Sequence, residues 1–306
     1  MATILAVLTS ARKKGLTSGL LMEALAGAEE VEGVEVDLAY AHDYSFGPCI
    51  SCYNCIRKVG RYCTLKDDMG REGSLFQKVL DANALMIAEP VHMWGNAAMT
   101  HLFMERLYPF LWDAKLSGMP FVSISCASNQ GMMRIANRDL ARLAFCFKML
   151  YLGGLPVHRV YYDEGLRHAR YLGIKLARAA LKDEQEGRHA LSDEEAWFYY
   201  MDKPWNALYL YIDNLTRGTF RWEDSLIEYG LSQRKFKDEE AIRLMEEARE
   251  YMIKTINAWN LNDYPEAQHN LIEASARWTR ATYLEFGKGA GAEQPKVYRP
   301  IPGGEG

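Results

Sequence analysis

At 306 residues, with 49% hydrophobic and 25% charged residues, the chain has the composition of a globular protein large enough to bury a substantial core. A formal net charge of −4 excludes the strongly basic surface that nucleic acid or an anionic membrane demands, so neither partner is expected. No apolar run approaches the ~20 residues of a membrane helix. The apolar opening lacks a basic leader and runs straight into a Lys/Arg loop, so a cytoplasmic location is expected.

That opening, Ala2–Leu8, is a short aliphatic run that suits a buried parallel strand. A polar loop follows, and residues 17–28 carry Leu20, Leu21, Ala24, Leu25 and Ala28 on one helical face. Val34–Tyr40 alternates and predicts a second, more exposed strand. The next segment has no clean period and holds Cys49, Cys52, Cys55 and Cys63; Cys126 and Cys146 stand apart. A helix is expected near residues 73–81, a buried strand at 84–90, a loop at 92–96 and a helix at 97–112. A fourth strand is expected at 120–126, followed by a polar loop. Residues 132–152 have a helical pattern, and Gly153–Gly154 reads as its stop. Residues 156–162 are the fifth strand candidate and residues 166–186 the fifth helix.

Strands alternating with helices in this way predict an α/β domain with a doubly wound, five-stranded parallel sheet. Ligands of such sheets bind at the carboxyl ends of the strands. The loops at residues 9–18, 89–96 and 126–131 therefore become candidate sites. From about His189 no strand signal is convincing, and Trp and Tyr become dense between Trp197 and Tyr211. That group reads as a lid over a substrate or as core or interface, the last two being the commoner use of such residues. Long helices are expected at 238–260 and 265–286. The expected organisation is a first domain over residues 1–188 with a cysteine loop at 48–66, a helical extension over 189–286, and an extended tail over 287–306.

The first loop offers hydroxyls, free backbone N–H groups and a helix start, which suit a phosphate. It is neither a P-loop nor a GxGxxG turn, and a plain capped turn explains it as well. The cysteine cluster is a metal site more often than a disulfide staple in such a chain. Four thiolates can close on zinc, hold a cubane, or remain uncoordinated in a surface loop. Three cysteines at successive x2 spacing resemble one corner of a ferredoxin cubane more than paired zinc knuckles.

The first loop resembles the Gly-Ser-x-Arg-x-x-Gly-Asn-Thr-Ser stretch of the NAD(P)H-dependent FMN reductase superfamily through Ser10, Arg12, Gly15, Thr17 and Ser18, with Thr9 and Leu16 replacing Gly and Asn. Cys49-x2-Cys52-x2-Cys55-x7-Cys63, followed by Asp67-Asp68-Met69, resembles the iron–sulfur flavoprotein branch of that superfamily. The stretch Glu89, Pro90, Val91, His92, Met93, Trp94, Gly95, Asn96 resembles its second flavin loop. The likeness covers about residues 1–186. It implies a flavodoxin-like fold and FMN, with the phosphate on Ser10, Arg12, Thr17 and Ser18 beside Gly15. The flavin ring is expected near Pro90 to Asn96, with Ala127, Ser128, Asn129, Gln130 and Gly131 as the third wall. His92 is a candidate donor to substrate or flavin, and Trp94 a candidate stacking partner; pocket shaping or a dimer contact explains each as well.

The resemblance also implies a 4Fe–4S cluster on the four clustered cysteines, coupling single electrons to flavin chemistry on an acceptor. NAD(P)H or a ferredoxin is the expected donor. The acceptor is a small molecule, such as a quinone or nitro compound, or a protein partner. The resemblance further implies a homo-oligomer, a dimer or a tetramer. The alternatives are a flavin or quinone reductase without a cluster, and an electron-carrier protein.

Overall fold

The computed structural model describes residues 1–57, 62–111, 114–129 and 131–287. They fall into two compact units, one formed by residues 1–55 and 62–191 and the other by 56–57 and 192–287.

The first unit is built on strands β1 (Ala2–Leu8), β2 (Val34–Tyr40), β3 (Ala84–His92), β4 (Gly95–Asn96), β5 (Pro120–Ala127) and β6 (Leu150–His158). The main sheet has the order β2-β1-β3-β5-β6, and every pair in it is parallel. Around it lie α1 (Leu16–Glu29), α3 (Ser74–Asp81), α4 (Ala98–Arg106), α5 (Met133–Cys146) and α6 (Tyr162–Glu186), while the one-turn α2 (Asn54–Arg57) belongs to the cysteine segment. This is the flavodoxin-like doubly wound sheet, with helices on both faces and five parallel strands.

Burial on both faces explains why β1, β3 and β5 read as unbroken apolar runs. Ala2, Ile4, Ala6 and Leu8 turn to one face and pack with Met86, Val122 and Ile124 under Leu20, Leu21 and Leu25 of α1 and Leu176 of α6. The two helices cross closely: a Cβ on Gly173 would lie 1.8 Å from the Ala24 carbonyl oxygen. Arg170 of α6 fastens the crossing by bonding Glu23 at 2.8 Å and also Glu30.

Two local expectations are corrected. The helix expected to run to residue 152 ends at Cys146, where Phe147 and then Lys148, at φ 54°, turn the chain out. Gly153 and Gly154 lie within β6 instead of stopping a helix. The register slips beside them, between Phe121 and Val122, and Gly153 takes φ 150°. A Cβ on Gly154 would sit 2.1 Å from the Tyr151 hydroxyl and 2.2 Å from Asn137 Oδ1, so this pair marks a bulge under a crowded helix. Likewise, residues 92–96 are not a loop: β3 continues to His92 and folds back on β4, with Val91 opposite Asn96 and His92 opposite Gly95. Met93 (φ 47°) and Trp94 (φ 64°) form the two-residue turn, both in the left-handed region that such hairpins require.

The second unit is helical: α7 (Asp193–Tyr199), α8 (Ala207–Leu215), α9 (Leu226–Ser232), α10 (Glu239–Asn260) and α11 (Tyr264–Thr282), followed by a π-helical turn at Tyr283–Gly287. A capping box between Ser192 and Glu195 starts α7. The apolar stripes of α10 and α11, including Leu244, Met252, Leu271 and Ile272, are buried within this unit. Trp197 and Tyr200 are buried in it too, which makes them core residues. Among the described residues, no helix is long and apolar enough to cross a membrane. The tail beyond Gly287 lies outside the described residues.

Candidate functional site

The order β2-β1-β3 places a topological switch point between β1 and β3, where neighbouring strands connect in opposite directions. The three candidate loops leave the carboxyl ends of β1, β3 and β5, which are adjacent in the sheet.

At the end of β1, the Thr9 amide bonds the Ala88 carbonyl at 3.0 Å, and its hydroxyl meets that of Thr100 at 2.8 Å. Ser10, Thr17 and Ser18 are buried, whereas Arg12, Lys13 and Lys14 are exposed. Ser18 Oγ donates to the Lys13 carbonyl at 2.7 Å, and Ser10 Oγ accepts from the Arg12 amide at 3.2 Å. Lys13 is held by Asp43 at 2.5 Å and lies over the Tyr40 ring. Gly15 begins α1 without any side-chain cap, so the first-turn N–H groups face outward with no side-chain acceptor. That opening fits a phosphate: an uncapped helix start with Arg12 beside it. Tyr162 of α6, which sequence reasoning did not single out, donates to the Leu16 carbonyl at 2.9 Å and anchors this helix start.

At the end of β3, Pro90 and Val91 are half-buried, while His92, Met93 and Trp94 are exposed; Met93 is 100% exposed at the hairpin tip. Gly95 is half-buried and Asn96 is buried. Asn96 Nδ2 donates to Glu89 Oε1 at 2.5 Å and to the Ala136 carbonyl at 3.0 Å. Ser125 Oγ donates to the same Glu89 oxygen at 2.9 Å. Burial raises the Glu89 carboxyl to about 7; hydrogen bonding by Ser125, Thr100 and Asn96 opposes that rise, and the nearby charge of Asp139 adds to it.

At the end of β5, Ala127 is buried and Ser128 and Asn129 are exposed. Gly131 takes φ 95°, which favours glycine. Gln130 lies outside the described residues. The Val160 amide donates to His158 Nδ1, so Nδ1 carries no proton; His158 Nε2 therefore donates to the Asn129 carbonyl, at 2.5 Å, and ties this loop to β6. Burial pushes the Cys126 thiol up to about 11 despite a hydrogen bond with Thr17. Cys126 is a protonated, buried thiol under the first loop.

The clustered cysteines meet elsewhere on the first unit. Cys49, Cys52, Cys55 and Cys63 all line one cavity of about 520 Å³. Left-handed residues between them, Ser51 (φ 51°) and Tyr53 (φ 55°), coil the chain so that the cysteines face one side. Burial, and then the proximity of the other three sulfurs, raises the Cys55 thiol to about 11. Among the described residues no three acidic, His or Cys side chains converge on a point as they would for a single ion. A zinc site would require sulfurs at ~2.3 Å from one centre. A cubane instead presents a separate iron to each thiolate and spreads them around a larger core. The donor chemistry, four soft thiols around one mostly apolar cavity, fits such a core.

Arg106 is the residue that sequence reasoning missed here. Its side chain is 1% exposed at the end of α4. It donates to Asp67 at 2.7 and 2.8 Å, to the Gly47 carbonyl at 2.7 Å and to Cys63 Sγ at 3.4 Å. Burial alone would raise the Asp67 carboxyl, but the Arg106 hydrogen bonds and charge hold it below the usual carboxylate range. Asp68 accepts from the Ser45 amide at 2.7 Å and the Ser74 hydroxyl at 2.9 Å, and Met69 is fully buried. The Asp-Asp-Met run is thus the brace behind the cysteine loop. Only the arginine's position at the end of an apolar helix hinted at it.

Residues 2–159 match the family model described as NADPH-dependent FMN reductase. An iron–sulfur flavoprotein of Methanocaldococcus jannaschii is 29% identical over 192 residues, covering 57% of this chain and 95% of that protein. One from Archaeoglobus fulgidus is 27% identical over 193 residues, covering 62% of this chain and 84% of that protein. Among solved structures, a flavone reductase superposes with a TM-score of 0.46 at 18% identity, over 61% of this chain and 66% of that one. Over half its length, and over the whole of the sheet that carries the three loops, the chain belongs to the NADPH-dependent FMN reductase family and is a flavin-dependent oxidoreductase, with iron–sulfur flavoproteins among its relatives.

Proposed function

We propose that this chain is an FMN oxidoreductase of the iron–sulfur flavoprotein type, with a 4Fe–4S cluster on Cys49, Cys52, Cys55 and Cys63. The observation that carries the reading is the convergence of these four cysteines on one cavity braced by Arg106 and Asp67. A cluster passes single electrons and FMN accepts one or two, so the pair supplies coupling between one-electron donors and a two-electron acceptor. NAD(P)H or a reduced ferredoxin is the donor in this reading, and a small molecule is the acceptor.

The chain's own residues bind and orient. Arg12 and the uncapped start of α1 at Gly15 take the phosphate, with Ser10, Thr17 and Ser18 shaping the turn. Pro90 to Asn96 form one wall of the ring site, with Trp94 at the hairpin tip offering an aromatic face. Ala127, Ser128, Asn129 and Gly131 form the other wall, held by His158 through the Asn129 carbonyl. Arg106 places a positive charge against Cys63 through a hydrogen bond to its sulfur.

Anaerobic purification followed by iron, sulfide and flavin analysis tests the reading. The expected result is about four irons and four sulfides per chain with one FMN. Cys52→Ser is expected to lose the cluster absorbance and keep FMN. Unchanged iron and sulfide in that variant removes the cluster assignment. FMN without iron in the wild type makes a simple flavin reductase the better reading.

A further inference from the structure

Two buried polar atoms at the end of β3 have no hydrogen-bond partner among the described residues: Glu89 Oε2 and Asn96 Oδ1. They belong to side chains already bonded to each other, through Asn96 Nδ2 and Glu89 Oε1 at 2.5 Å. The amide cannot be turned over to relieve them. Its Nδ2 serves two acceptors, Glu89 Oε1 and the Ala136 carbonyl, and a flipped amide would set its oxygen against both. An ionised carboxylate would therefore bury one acceptor oxygen without a donor on a group already joined to an amide whose own oxygen also has no donor, with neither solvated. One proton on Oε2 would remove both defects, because it turns Oε2 into a donor and the Asn96 oxygen of the same bonded pair is an acceptor that lacks one.

We propose that Glu89 and Asn96 form a cyclic acid–amide pair closed by a proton on Glu89 Oε2, and that this pair positions the second flavin loop. The second half of the statement rests on the reading of Pro90 to Asn96 as a wall of the FMN site.

The surroundings hold the proton in place. Glu89 has no exposed surface, and Ser125 bonds the same oxygen that Asn96 does. The Thr100 hydroxyl lies against Thr9 at 2.8 Å. From α5, the charge that reaches Glu89 is Asp139, an anion paired with Arg142 at 2.9 Å, and it too disfavours a carboxylate. Burial, with a smaller contribution from the Asp139 charge, keeps the carboxyl protonated up to about pH 7, against the hydrogen bonds of Ser125, Thr100 and Asn96. The mechanical consequence follows from position. Glu89 sits in the sheet, paired in register with Ser125 of β5, whereas Asn96 ends the hairpin whose tip is Met93 and Trp94. The tip requires left-handed backbone at two residues with side chains, which is unfavourable without support. The acid–amide pair clamps the returning strand to the sheet and so supports that turn. When the proton leaves, the clamp loses one of its two bonds and acquires a buried charge, and the hairpin is freed. Glu89 is in this sense a positioning residue that acts through Asn96.

The test uses the full chain, wild type and Glu89→Gln, with FMN as the probe. The Glu89→Gln side chain keeps both bonds of the ring, since its amide nitrogen donates to Asn96 Oδ1, but it cannot titrate. Infrared difference spectra of the FMN-free protein between about pH 6 and pH 8.5 report a carboxylic C=O band. Fluorescence titration over the same range reports FMN affinity. The expected result is a protonated-carboxyl band that disappears as pH rises in the wild type and is missing in Glu89→Gln. Wild-type affinity is expected to fall about tenfold across that range, as loss of one linked proton allows, while Glu89→Gln stays level. No carboxylic band at the acid end, or an equal pH dependence of affinity in both proteins, overturns the pair. A band that titrates while wild-type affinity stays constant leaves the pair standing and overturns its role in FMN binding. Should Glu89→Gln fail to fold, the wild-type band alone decides the first question.

Discussion

Arg106 and Asp67 face each other in a two-bond pair, Nη1 to Oδ2 at 2.7 Å and Nη2 to Oδ1 at 2.8 Å, behind the sulfur of Cys63. The pair joins the end of α4 to the Asp-Asp-Met run and so braces a cysteine loop that has little regular structure of its own. The Arg106 side chain is 1% exposed and that of Asp67 18%, so breaking the pair leaves a poorly solvated charge.

Arg106→Met is therefore expected to lose about 3 kcal/mol of stability in urea unfolding. Asp67→Asn combined with it is expected to recover much of that loss, because no unpaired charge remains. On the cluster-loaded protein the two single variants should move the reduction potential in opposite directions, down for Arg106→Met and up for Asp67→Asn. Shifts of the same sign would mean that loop distortion, not charge, governs the potential.

Stability should also depend on pH through Glu89. Its carboxyl lies at about 7 in the folded chain against an ordinary value of 4.5. Over that interval the folded state retains a proton that the unfolded chain has released, so stability falls as pH rises. The contribution of the protonated group is complete below pH ~4.5 and gone above about pH 7, a span of ~3 kcal/mol. Urea midpoints measured across this range check the slope, and Glu89→Gln is expected to flatten it.

The first loop separates two neighbouring cations. Lys13 is committed to Asp43 and the Tyr40 ring, whereas Arg12 is exposed beside the uncapped start of α1. Arg12→Ala is expected to weaken FMN binding about tenfold, the loss of one charge-assisted contact. Lys13→Ala should change it little. Fluorescence titration of both variants decides, and equal affinity in Arg12→Ala removes that residue from the phosphate site.

In the helical unit, Gln268 of α11 is fully buried, and both its amide oxygen and nitrogen lack partners among the described residues. Gln268→Met keeps the length and removes two unsatisfied groups. It is expected to stabilise the protein by about 1–2 kcal/mol, read as a rise in Tm of a few degrees. A fall in Tm would show that the amide has a bonded partner in solution.

The elements that sequence alone determined are those whose signal is local. Ala2–Leu8 and Val34–Tyr40 are strands over the bounds read from their hydrophobic pattern, and α10 follows from its 3.6-residue stripe. The cysteine spacing and the Ser10–Arg12–Gly15 turn pointed to the family, because spacing along the chain is what those motifs consist of. Where tertiary packing overrides a local signal, the reading failed. Gly153–Gly154 carries a helix-stop signature yet forms a strand bulge, since the space above it is filled by Tyr151 and Asn137. The Met93–Trp94 hairpin lacks the Gly or Asn that announces such a turn; strand pairing on β3 imposes it. The two devices behind the site were invisible for a further reason. Arg106 meets Asp67 across 39 positions, and Glu89 meets Ser125 across 36. Whether such a charge is buried, paired or protonated depends on desolvation by distant segments, which no stretch of sequence encodes by itself and only the folded sheet decides.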